Sequence, residues 1–504
     1  MPPKRPPIPK QVAAQYEKCA ALIRRGGPTQ ALLMLGQLRQ ARPADPQGAA
    51  LVGEAHAALG RHAESIDAFA DAVRLDPDNP GLRLNLADAC RHGGQYERAL
   101  EHYRHALRTD PKSIEINRAV ASVLIDLGRE AEAAEMIRPY LDGTDRRRLK
   151  PTDRLYVAIT GARIAPKHID AELCIPVLAE FAPDTRCTTH ARLHGFNFLG
   201  RLREKAGDYD GAFEAFEAAN EIARHPWDAD LHSKRIDDLI ACWRSGRDIP
   251  GFVGVPKVGI PRHVFIVGMM RSGTTLTEQM VAMADEVTPG GELNAISRAV
   301  SQTDPATIKY TRPMPTSRPK YTQSAVNAMR NHADAVYARF APAEVLTDKQ
   351  PTNYLYVPLI ARLYPNAKII HCIRDARDCC VSNFQQAFNR PHPFTEDLAR
   401  LGRYYRDYER VMEAWRELGD APMLDLRYEE LVADPEGQSK RVFEFLGLPW
   451  SERVLEFHRS GRAAATASRQ QVRQPIYTSS VAKWERYREH LGPLNEALDP
   501  DTSS

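Results

Sequence analysis

The sequence predicts two kinds of structure in one chain: an all-α superhelix of helical hairpins, followed by an α/β domain with a parallel sheet. Two observations support this prediction. Glycines recur every 34 residues at Gly26, Gly60, Gly94 and Gly128, which indicates a helical repeat. Further along, short apolar runs alternate with helical patterns, and the first run leads into a glycine-containing turn, which is typical of a phosphate-loop-like α/β fold.

The overall composition is that of an ordinary soluble protein. The chain has 504 residues, enough for two or three domains, and its net charge of +3 gives no reason to expect a nucleic-acid partner. The start MPPKRPPIPKQ lacks the apolar core of a signal peptide, and no apolar run reaches the ~18 residues of a membrane span. The eight cysteines are scattered without a CxxC pair, which favours a reducing compartment over disulfides or zinc. A cytoplasmic location is therefore expected.

The repeat has further fixed positions that indicate antiparallel helix pairs. Small residues follow the glycines by five positions, larger apolar residues by nine and prolines by seventeen. A small residue lets two helices approach closely, and a proline ends the second helix of each pair. The pattern resembles the tetratricopeptide repeat. These positions are Ala31, Ser65, Ala99 and Ala133; Leu35, Phe69, Tyr103 and Ile137; and Pro43, Pro77 and Pro111.

Domain boundaries are predicted where the period is lost and where proline and glycine accumulate. The repeat array is expected either to bind a peptide or partner protein, or to serve as a structural scaffold. The predicted parts are a disordered tail over 1–10, the array over 11–147, further helices over 148–245 with a last repeat near 193–226, a linker over 246–262, the α/β domain over 263–490 and a C-terminal tail over 491–504.

The segment 263–280 predicts an anion site. An apolar strand leads into a loop bracketed by Gly268 and Gly273, and a helix follows. Such a turn directs backbone N–H groups and a helix N-terminus towards one point, which suits a phosphate. The nucleoside-triphosphate loop GxxxxGK[ST] has a lysine where this chain has Thr274, and the cation here is Arg271. This difference argues against a kinase or ATPase and for another phosphate-bearing donor.

Three later strands are predicted to end in polar or aromatic residues. Lys349 follows the first, Arg374 follows the second with Ser382 eight positions later in a helix, and Tyr428 ends the third. Ligands bind at the carboxyl ends of strands in open α/β sheets, and an arginine with a nearby hydroxyl can hold one phosphate from two sides. Together with the anion loop, this pair predicts a donor that carries phosphate at more than one place.

Glu292 lies in a GGE turn. It either faces the anion loop or is a solvated carboxylate before a helix.

Two further segments are too polar or too rich in proline for a hydrophobic core. Residues 304–320 are basic and proline-rich, and we expect a loop over the site. Residues 466–484 are dense in hydroxyl and cationic side chains.

Together, these motifs resemble the PAPS-dependent sulfotransferases, most closely the tyrosylprotein branch. The resemblance covers residues 263–490 through RSGTT, GGE, a DK-P turn, the arginine–serine pair at spacing eight, LRYEELVADPE, FLGLPW and SSVAKW. With the repeats in front, the whole resembles bacterial tetratricopeptide-repeat sulfotransferases. The resemblance implies transfer of a sulfuryl group from PAPS to an acceptor hydroxyl, with 3′,5′-ADP as product and no metal.

The resemblance also implies a role for each matching residue. Glu292 matches the catalytic base, Lys349 matches a lysine that stabilises the transition state, and Ser468 is assigned both to catalysis and to donor binding. The expected donor-binding residues are Arg271, Ser272, Gly273, Thr274 and Thr275 for the 5′-phosphosulfate, Arg374 and Ser382 for the 3′-phosphate, Tyr428 beside the adenine, and Ser468, Arg473, Tyr477 and Lys483 in a late closing segment.

The acceptor is left open by departures from the tyrosylprotein branch. Gln350 stands where that branch has an acidic residue, and Gln386 stands where it has another arginine. A peptide tyrosine, a small phenol, a lipid and a glycan hydroxyl all stay open, and a peptide held by the repeats is favoured. The alternatives are a repeat adaptor whose α/β domain binds nucleotide but is inactive, and a phosphate-loop kinase.

Overall fold

The structure, a computed structural model, divides the chain into two compact units, Met1–Asp208 and Tyr209–Ser504. All eight cysteines are free thiols. In the part of the chain that the structure describes, no helix is long and apolar enough to cross a membrane. The described residues are 9–144, 149–245, 250–253, 261–303, 322–340, 342–388, 392–459, 476 and 480–499.

The first unit is built from successive antiparallel helices. The four repeats form the pairs α1–α2, α3–α4, α5–α6 and α7–α8, and three more helices follow. Its helices are α1 (Lys10–Arg24), α2 (Pro28–Ala41), α3 (Pro46–Ala58), α4 (His62–Leu75), α5 (Pro80–His92), α6 (Tyr96–Thr109), α7 (Ile114–Asp126), α8 (Glu130–Leu141), α9 (Pro151–Ala162), α10 (Ala171–Phe181) and α11 (Thr189–Lys205).

The periodic glycines lie in the turn inside each helix pair, as predicted. Gly26, Gly60, Gly94 and Gly128 have φ values of 82°, 69°, 76° and 78°. This left-handed conformation is accessible to glycine at little cost, which explains why the turn requires it. The small residues five positions later are at most 1% exposed, and the following prolines lie just beyond α2, α4 and α6. The predicted helical repeat is confirmed.

The second unit contains a parallel sheet surrounded by helices. Its regular elements are α12 (Tyr209–Ala223), α13 (Ala229–Ser245), β1 (Arg262–Gly268), α14 (Thr274–Val281), β2 (Val287–Pro289), α15 (Ala295–Thr303), α16 (Gln323–Tyr337), β3 (Val345–Asp348), α17 (Val357–Leu363), β4 (Lys368–Ile373), α18 (Ala376–Phe384), α19 (Leu398–Leu418), β5 (Met423–Arg427), α20 (Tyr428–Ala433), α21 (Pro435–Leu446) and α22 (Gly492–Leu498), with 3₁₀ helices at Ala338–Phe340, Pro351–Tyr356, Pro393–Glu396, Glu452–Arg459 and Lys483–His490.

The described strands pair in the order β2-β3-β1-β4-β5, and every pairing is parallel. Both faces of β1 are buried: Val264 and Ile266 pack in one hydrophobic cluster, whereas Phe265 and Val267 pack in the other. This explains the continuous apolar run. The predicted parallel α/β fold is confirmed, and β2 is a three-residue strand that the sequence did not predict.

The boundary between the compact units lies before α12, whereas the sequence suggested the linker 246–262. The sequence places α12 and α13 with the helices that follow the repeats, and Gly207 before α12 has a positive φ of 83°, close to the 69–82° of the repeat glycines. In the structure, however, Phe213, Phe216 and Trp243 belong to the hydrophobic core of the second unit. Burial of these side chains decides the assignment.

Ion pairs also attach α13 to α19. Asp230 pairs with Arg403, Asp237 with Arg410 and Arg244 with Glu417, so successive partners are separated by about two helical turns on both helices. Such spacing indicates that the two helices run side by side in the same direction. No periodicity within α13 alone identifies this partner.

Candidate active site

A residue assigned to catalysis or donor binding follows the carboxyl end of each of the five described strands. Arg271 follows β1, Glu292 follows β2, Lys349 follows β3, Arg374 follows β4 and Tyr428 follows β5. Because all five strands are parallel, these ends meet at one edge of the sheet. The strand order changes direction at β1, with β3 on one side and β4 on the other, and this is where open α/β sheets bind ligands.

The loop after β1 has a backbone that admits no side chain at two positions. A Cβ atom on Gly268 would lie 2.4 Å from the carbonyl oxygen of Cys372, and one on Gly273 would lie 2.8 Å from the ring of Tyr428. Gly273 has a φ of 102° and caps α14, while Arg271 has a φ of 70°. The backbone of this loop therefore lies close to Cys372 and Tyr428 before α14 begins.

The hydroxyl groups in this loop fit an anion. Ser272, Thr274 and Thr275 are 2%, 4% and 6% exposed. Among the described residues, Oγ of Ser272 has no hydrogen-bond partner, and neither does Nε of Arg374. Buried polar groups are normally paired. A buried hydroxyl and a buried guanidinium nitrogen without partners, beside a helix N-terminus, suit a bound phosphate or sulfate group.

Helix α18 holds the anion loop in place. Nε of Arg271 donates to Oγ of Ser382 at 3.0 Å, and Nδ2 of Asn383 donates to the carbonyl of Met270 at 2.8 Å. Nη1 of Arg374 donates to the carbonyl of Arg271 at 3.1 Å. The structure therefore brings together Arg271, Ser382 and Arg374, and it adds Asn383, which sequence reasoning missed because an asparagine inside a helix carries no distinctive signal.

Tyr428 and Arg374 form a second contact at the same edge. The guanidinium carbon of Arg374 lies 4.8 Å from the centre of the Tyr428 ring. Nη2 of Arg374 donates to the carbonyl of Ser480 at 2.5 Å. Arg374 is 7% exposed, so its charge lies within the protein, where its interactions with an anion are strong.

Lys349 is paired directly with Glu292. The lysine is 0% exposed, and its Nζ atom lies 2.7 Å from Oε1 of Glu292, whose side chain is 46% exposed. Glu292 is therefore a half-exposed carboxylate that precedes α15 and is paired with a neighbouring cation. The pair joins a buried ammonium to a carboxylate that solvent and a substrate can reach.

The GGE turn is pinned to the end of β3. The N–H of Gly290 donates to the carbonyl of Thr347 at 3.0 Å, and the N–H of Lys349 donates to the carbonyl of Gly291 at 2.9 Å. A Cβ atom on Gly290 would lie 2.3 Å from the Thr347 carbonyl oxygen. Only glycine fits there, so the turn places Glu292 at a defined position.

A buried carboxyl group below this turn was missed from the sequence. Glu278 on α14 is 3% exposed, and its Oε1 atom accepts hydrogen bonds from the N–H of Gly291 at 2.9 Å and from Oγ1 of Thr347 at 2.8 Å. Burial raises the pKa of Glu278, and the charge of Lys349 is the largest opposing influence. The only sequence signal is a glutamate in a short helix that starts in the anion loop.

Asp378 holds the segment around Lys483 against α18. Its two oxygens accept hydrogen bonds from the N–H groups of Ala482 and Trp484, both at 2.8 Å. Nζ of Lys483 donates to Oε1 of Gln385 at 2.9 Å. Burial raises the pKa of Asp378. Lys483 is thus placed beside the helix that carries Ser382.

Some of the predicted site residues lie outside the part of the chain that the structure describes. They are Ser468, Arg473 and Tyr477, together with the loop predicted over 304–320. His371 and Cys372 are core residues of β4, 2% and 1% exposed. Burial lowers the pKa of His371, whose Nδ1 atom lies 2.7 Å from Asp425.

Models of known protein families match both parts of the chain. A model of the sulfotransferase family matches residues 261–452, which carry the anion loop and the Glu292–Lys349 pair. Tetratricopeptide-repeat models match residues 47–112 and 84–143. The resemblance inferred from the motifs is confirmed.

Three relatives show how far this similarity extends. An uncharacterized protein of Aquifex aeolicus (strain VF5) is 36% identical over 317 residues, which cover 60% of this chain and 40% of that protein. Protein-tyrosine sulfotransferase 2 of Gallus gallus is 27% identical over 232 residues, 44% of this chain and 62% of that protein. Omega-hydroxy-beta-dihydromenaquinone-9 sulfotransferase Stf3 of Mycobacterium bovis is 34% identical over 121 residues, 22% of this chain and 31% of that protein. Each match thus spans less than two thirds of the relative.

Proposed function

We propose that this protein is a sulfotransferase that uses PAPS as the donor and Glu292 as the base that activates an acceptor hydroxyl. The observation that carries this proposal is the ion pair of 2.7 Å between the buried Lys349 and the accessible Glu292, at the edge of the sheet that also bears the anion loop. The sulfotransferase family match over residues 261–452 supports it.

The residues at the carboxyl edge fit a donor with phosphate at two places. The loop from Arg271 to Thr275 supplies backbone N–H groups, hydroxyls and one cation for the 5′-phosphosulfate, while Arg374 and Ser382 would hold the 3′-phosphate. Tyr428 offers an aromatic face for the adenine. PAPS supplies the sulfuryl group and a phosphate that leaves with the electron pair of the broken sulfur–oxygen bond.

The catalytic pair provides a base and a positive charge side by side. Glu292 takes the proton of the acceptor hydroxyl as the acceptor oxygen forms its bond to sulfur. Lys349 and the loop N–H groups stabilise the negative charge that develops on the transferring group and on the leaving oxygen. A phenol, with an unperturbed pKa of about 10, needs less help from the base than an alkyl alcohol does.

For the acceptor, we propose a tyrosine in a peptide or protein. Tetratricopeptide repeats over 47–143 support an interaction with a protein, and the similarity to a protein-tyrosine sulfotransferase supports tyrosine. The similarity to a sulfotransferase named for a hydroxylated menaquinone makes a lipid hydroxyl the main competing outcome. Mass spectrometry of proteins and lipids from cells with and without this protein distinguishes the two by the molecule that gains a sulfate.

The proposal is tested by transfer from ³⁵S-labelled PAPS with the wild type, Glu292→Gln and Lys349→Ala. Both variants should lose at least about 100-fold in kcat, because each removes a group that acts mainly in the transition state. Glu286→Gln is the matched control, since Glu286 precedes β2 at the opposite end of that strand and should keep wild-type activity.

Three results would contradict the proposal. Full activity in both site variants would remove the assigned catalytic roles. Tight binding of 3′,5′-ADP without transfer to protein, lipid or phenolic acceptors would indicate an inactive adaptor. Magnesium-dependent turnover of ATP would indicate a kinase.

A further inference from the structure

We propose that Glu278 is a positioning residue that provides the permanent counter-charge of Lys349, so that the buried ammonium stays charged when Glu292 takes up a proton. This inference rests on the proposed function, in which Glu292 is the base. It gives a role to a buried carboxyl group that does not contact the substrate in the proposed mechanism.

The position of Glu278 links it to both members of the catalytic pair. Gly291 donates its N–H to Glu278 at 2.9 Å and accepts from the N–H of Lys349 at 2.9 Å. Thr347, two residues before Lys349, donates its hydroxyl to the same oxygen of Glu278 at 2.8 Å. Glu278 therefore lies below the turn that carries Glu292 and beside the strand end that carries Lys349.

The charge balance of the site calls for a second carboxylate. Lys349 is 0% exposed, and a buried ammonium without a negative partner is strongly destabilised. Its direct partner Glu292 loses its negative charge at the moment when the lysine is needed by the transferring group. Glu278, a carboxyl group at 3% exposure that takes no proton from the acceptor in the proposed mechanism, would supply the negative charge that Glu292 loses.

The interaction between Glu278 and Lys349 is electrostatic rather than a direct hydrogen bond. Among the described contacts, the hydrogen bonds of Glu278 go to Gly291 and Thr347, and the hydrogen bond from the Lys349 side chain goes to Glu292. The lysine is nevertheless the main factor that opposes the rise in the pKa of Glu278 caused by burial. Charges that share a water-excluded site interact strongly without contact.

A double-mutant cycle on thermal stability tests the inference without any assay of activity. The variants are Glu278→Gln, Lys349→Met and the double variant, each measured by its Tm. If the two charges support each other, each single variant removes one partner and leaves the other buried group without that support, whereas the double variant removes both partners. The double variant should then unfold at least about 3 °C above the value that the two single shifts add up to.

Additive shifts in Tm would overturn the inference. If Glu278→Gln alone does not fold but the double variant does, the coupling is confirmed in its strongest form. If neither folds, Glu278 is required for a reason other than the charge of Lys349, and the inference fails. Because these outcomes need no turnover, they stand even if the wild type transfers no sulfate and the proposed function is wrong.

A comparison of kcat and KM in two variants separates the effect of the Glu278 charge from that of its hydrogen bonds. Glu278→Gln keeps an amide oxygen that accepts from Gly291 and Thr347, so it should lower kcat at least about tenfold while KM for the donor stays within about twofold. Thr347→Val removes one of these hydrogen bonds but leaves the carboxylate, and kcat should change less than about threefold. A similar loss of kcat in both variants would mean that Glu278 acts only as part of the hydrogen-bonded turn.

Discussion

Nε of Arg271 donates a hydrogen bond of 3.0 Å to Oγ of Ser382, although the two residues are 111 positions apart. The resemblance assigns Arg271 to the 5′-phosphosulfate and Ser382 to the 3′-phosphate. Their contact joins the loop after β1 to the helix after β4. A substitution at either residue should therefore weaken the binding of both the 5′-phosphosulfate and the 3′-phosphate.

Replacing Arg271 should weaken binding of the donor product. Arg271→Ala removes a cation and its hydrogen bond to Ser382, and hydrogen bonds to charged groups contribute about 1.5–3 kcal/mol. Titration calorimetry with 3′,5′-ADP should show Kd raised by about 10–100-fold. The control is Arg377→Ala, since the Arg377 guanidinium carbon lies 4.6 Å from the centre of the Trp484 ring and is not assigned to the donor. Equal losses in the two variants would indicate a general charge effect.

A methyl group at Gly290 should disturb the GGE turn. In Gly290→Ala the new Cβ atom would lie 2.3 Å from the carbonyl oxygen of Thr347, and relief of the overlap must move the turn that carries Glu292. Overpacking costs about 1–3 kcal/mol, and a displacement of about 1 Å in a catalytic group can cost about 100-fold in rate. Tm and kcat should both fall. Gly492→Ala is the control, because nothing lies within 4 Å of its added Cβ atom, and similar losses there would refute the steric argument.

The stability of the protein should depend on pH through Asp348. This residue is 0% exposed, and burial raises its pKa from 3.8 to about 7, although Tyr337 donates a hydrogen bond to it. Between these pH values the folded protein holds a proton that the unfolded chain has lost. The contribution is therefore complete below about pH 4 and is lost as pH rises through about 7. At about 1.4 kcal/mol per pKa unit, the loss amounts to about 4 kcal/mol.

Asp348→Asn tests this dependence, because asparagine can accept from the N–H of Gln350 and donate to the Tyr337 hydroxyl. Urea unfolding between pH 4 and 8 should show the wild type losing stability relative to the variant as pH rises. A constant difference between the two proteins across this range would show that Asp348 is ionised throughout.

The second unit should fold alone if it is cut at the observed boundary. A fragment of residues 209–504 keeps α12 and α13, whereas a fragment of residues 246–504 loses Phe213, Phe216 and Trp243 from the core. Each large buried side chain contributes about 1.5–3 kcal/mol, which together approaches the whole stability of a domain. The longer fragment should unfold cooperatively, and the shorter one should aggregate or lack a thermal transition. Equal Tm values would place the boundary in the linker after all.

The same pair of fragments bears on the acceptor. If the repeats bind the acceptor protein, the fragment 209–504 should keep its activity towards a small phenol and lose activity towards the protein. Full activity towards the protein acceptor would show that the repeats serve another purpose.

Much of the fold could be predicted because its signals are local. The 34-residue period identified the helix pairs, since each turn needs a glycine at positive φ and each pair needs a small residue at its contact. The strand that became β1 was evident because both of its faces are buried. The three-residue β2 was missed, because so short a strand has no periodicity and exists only through its pairing with β3.

The amino-acid sequence by itself determined the repeat array, the parallel α/β domain and the residues at the strand ends, because turns, apolar runs and charged motifs depend on neighbours in the chain. Tertiary structure alone decided that α12 and α13 complete the core of the second unit, that Arg271 contacts Ser382 and that Glu278 lies below the Glu292–Lys349 pair. Those relationships depend on which surfaces exclude water together, and spacing along one segment does not encode the partner on another.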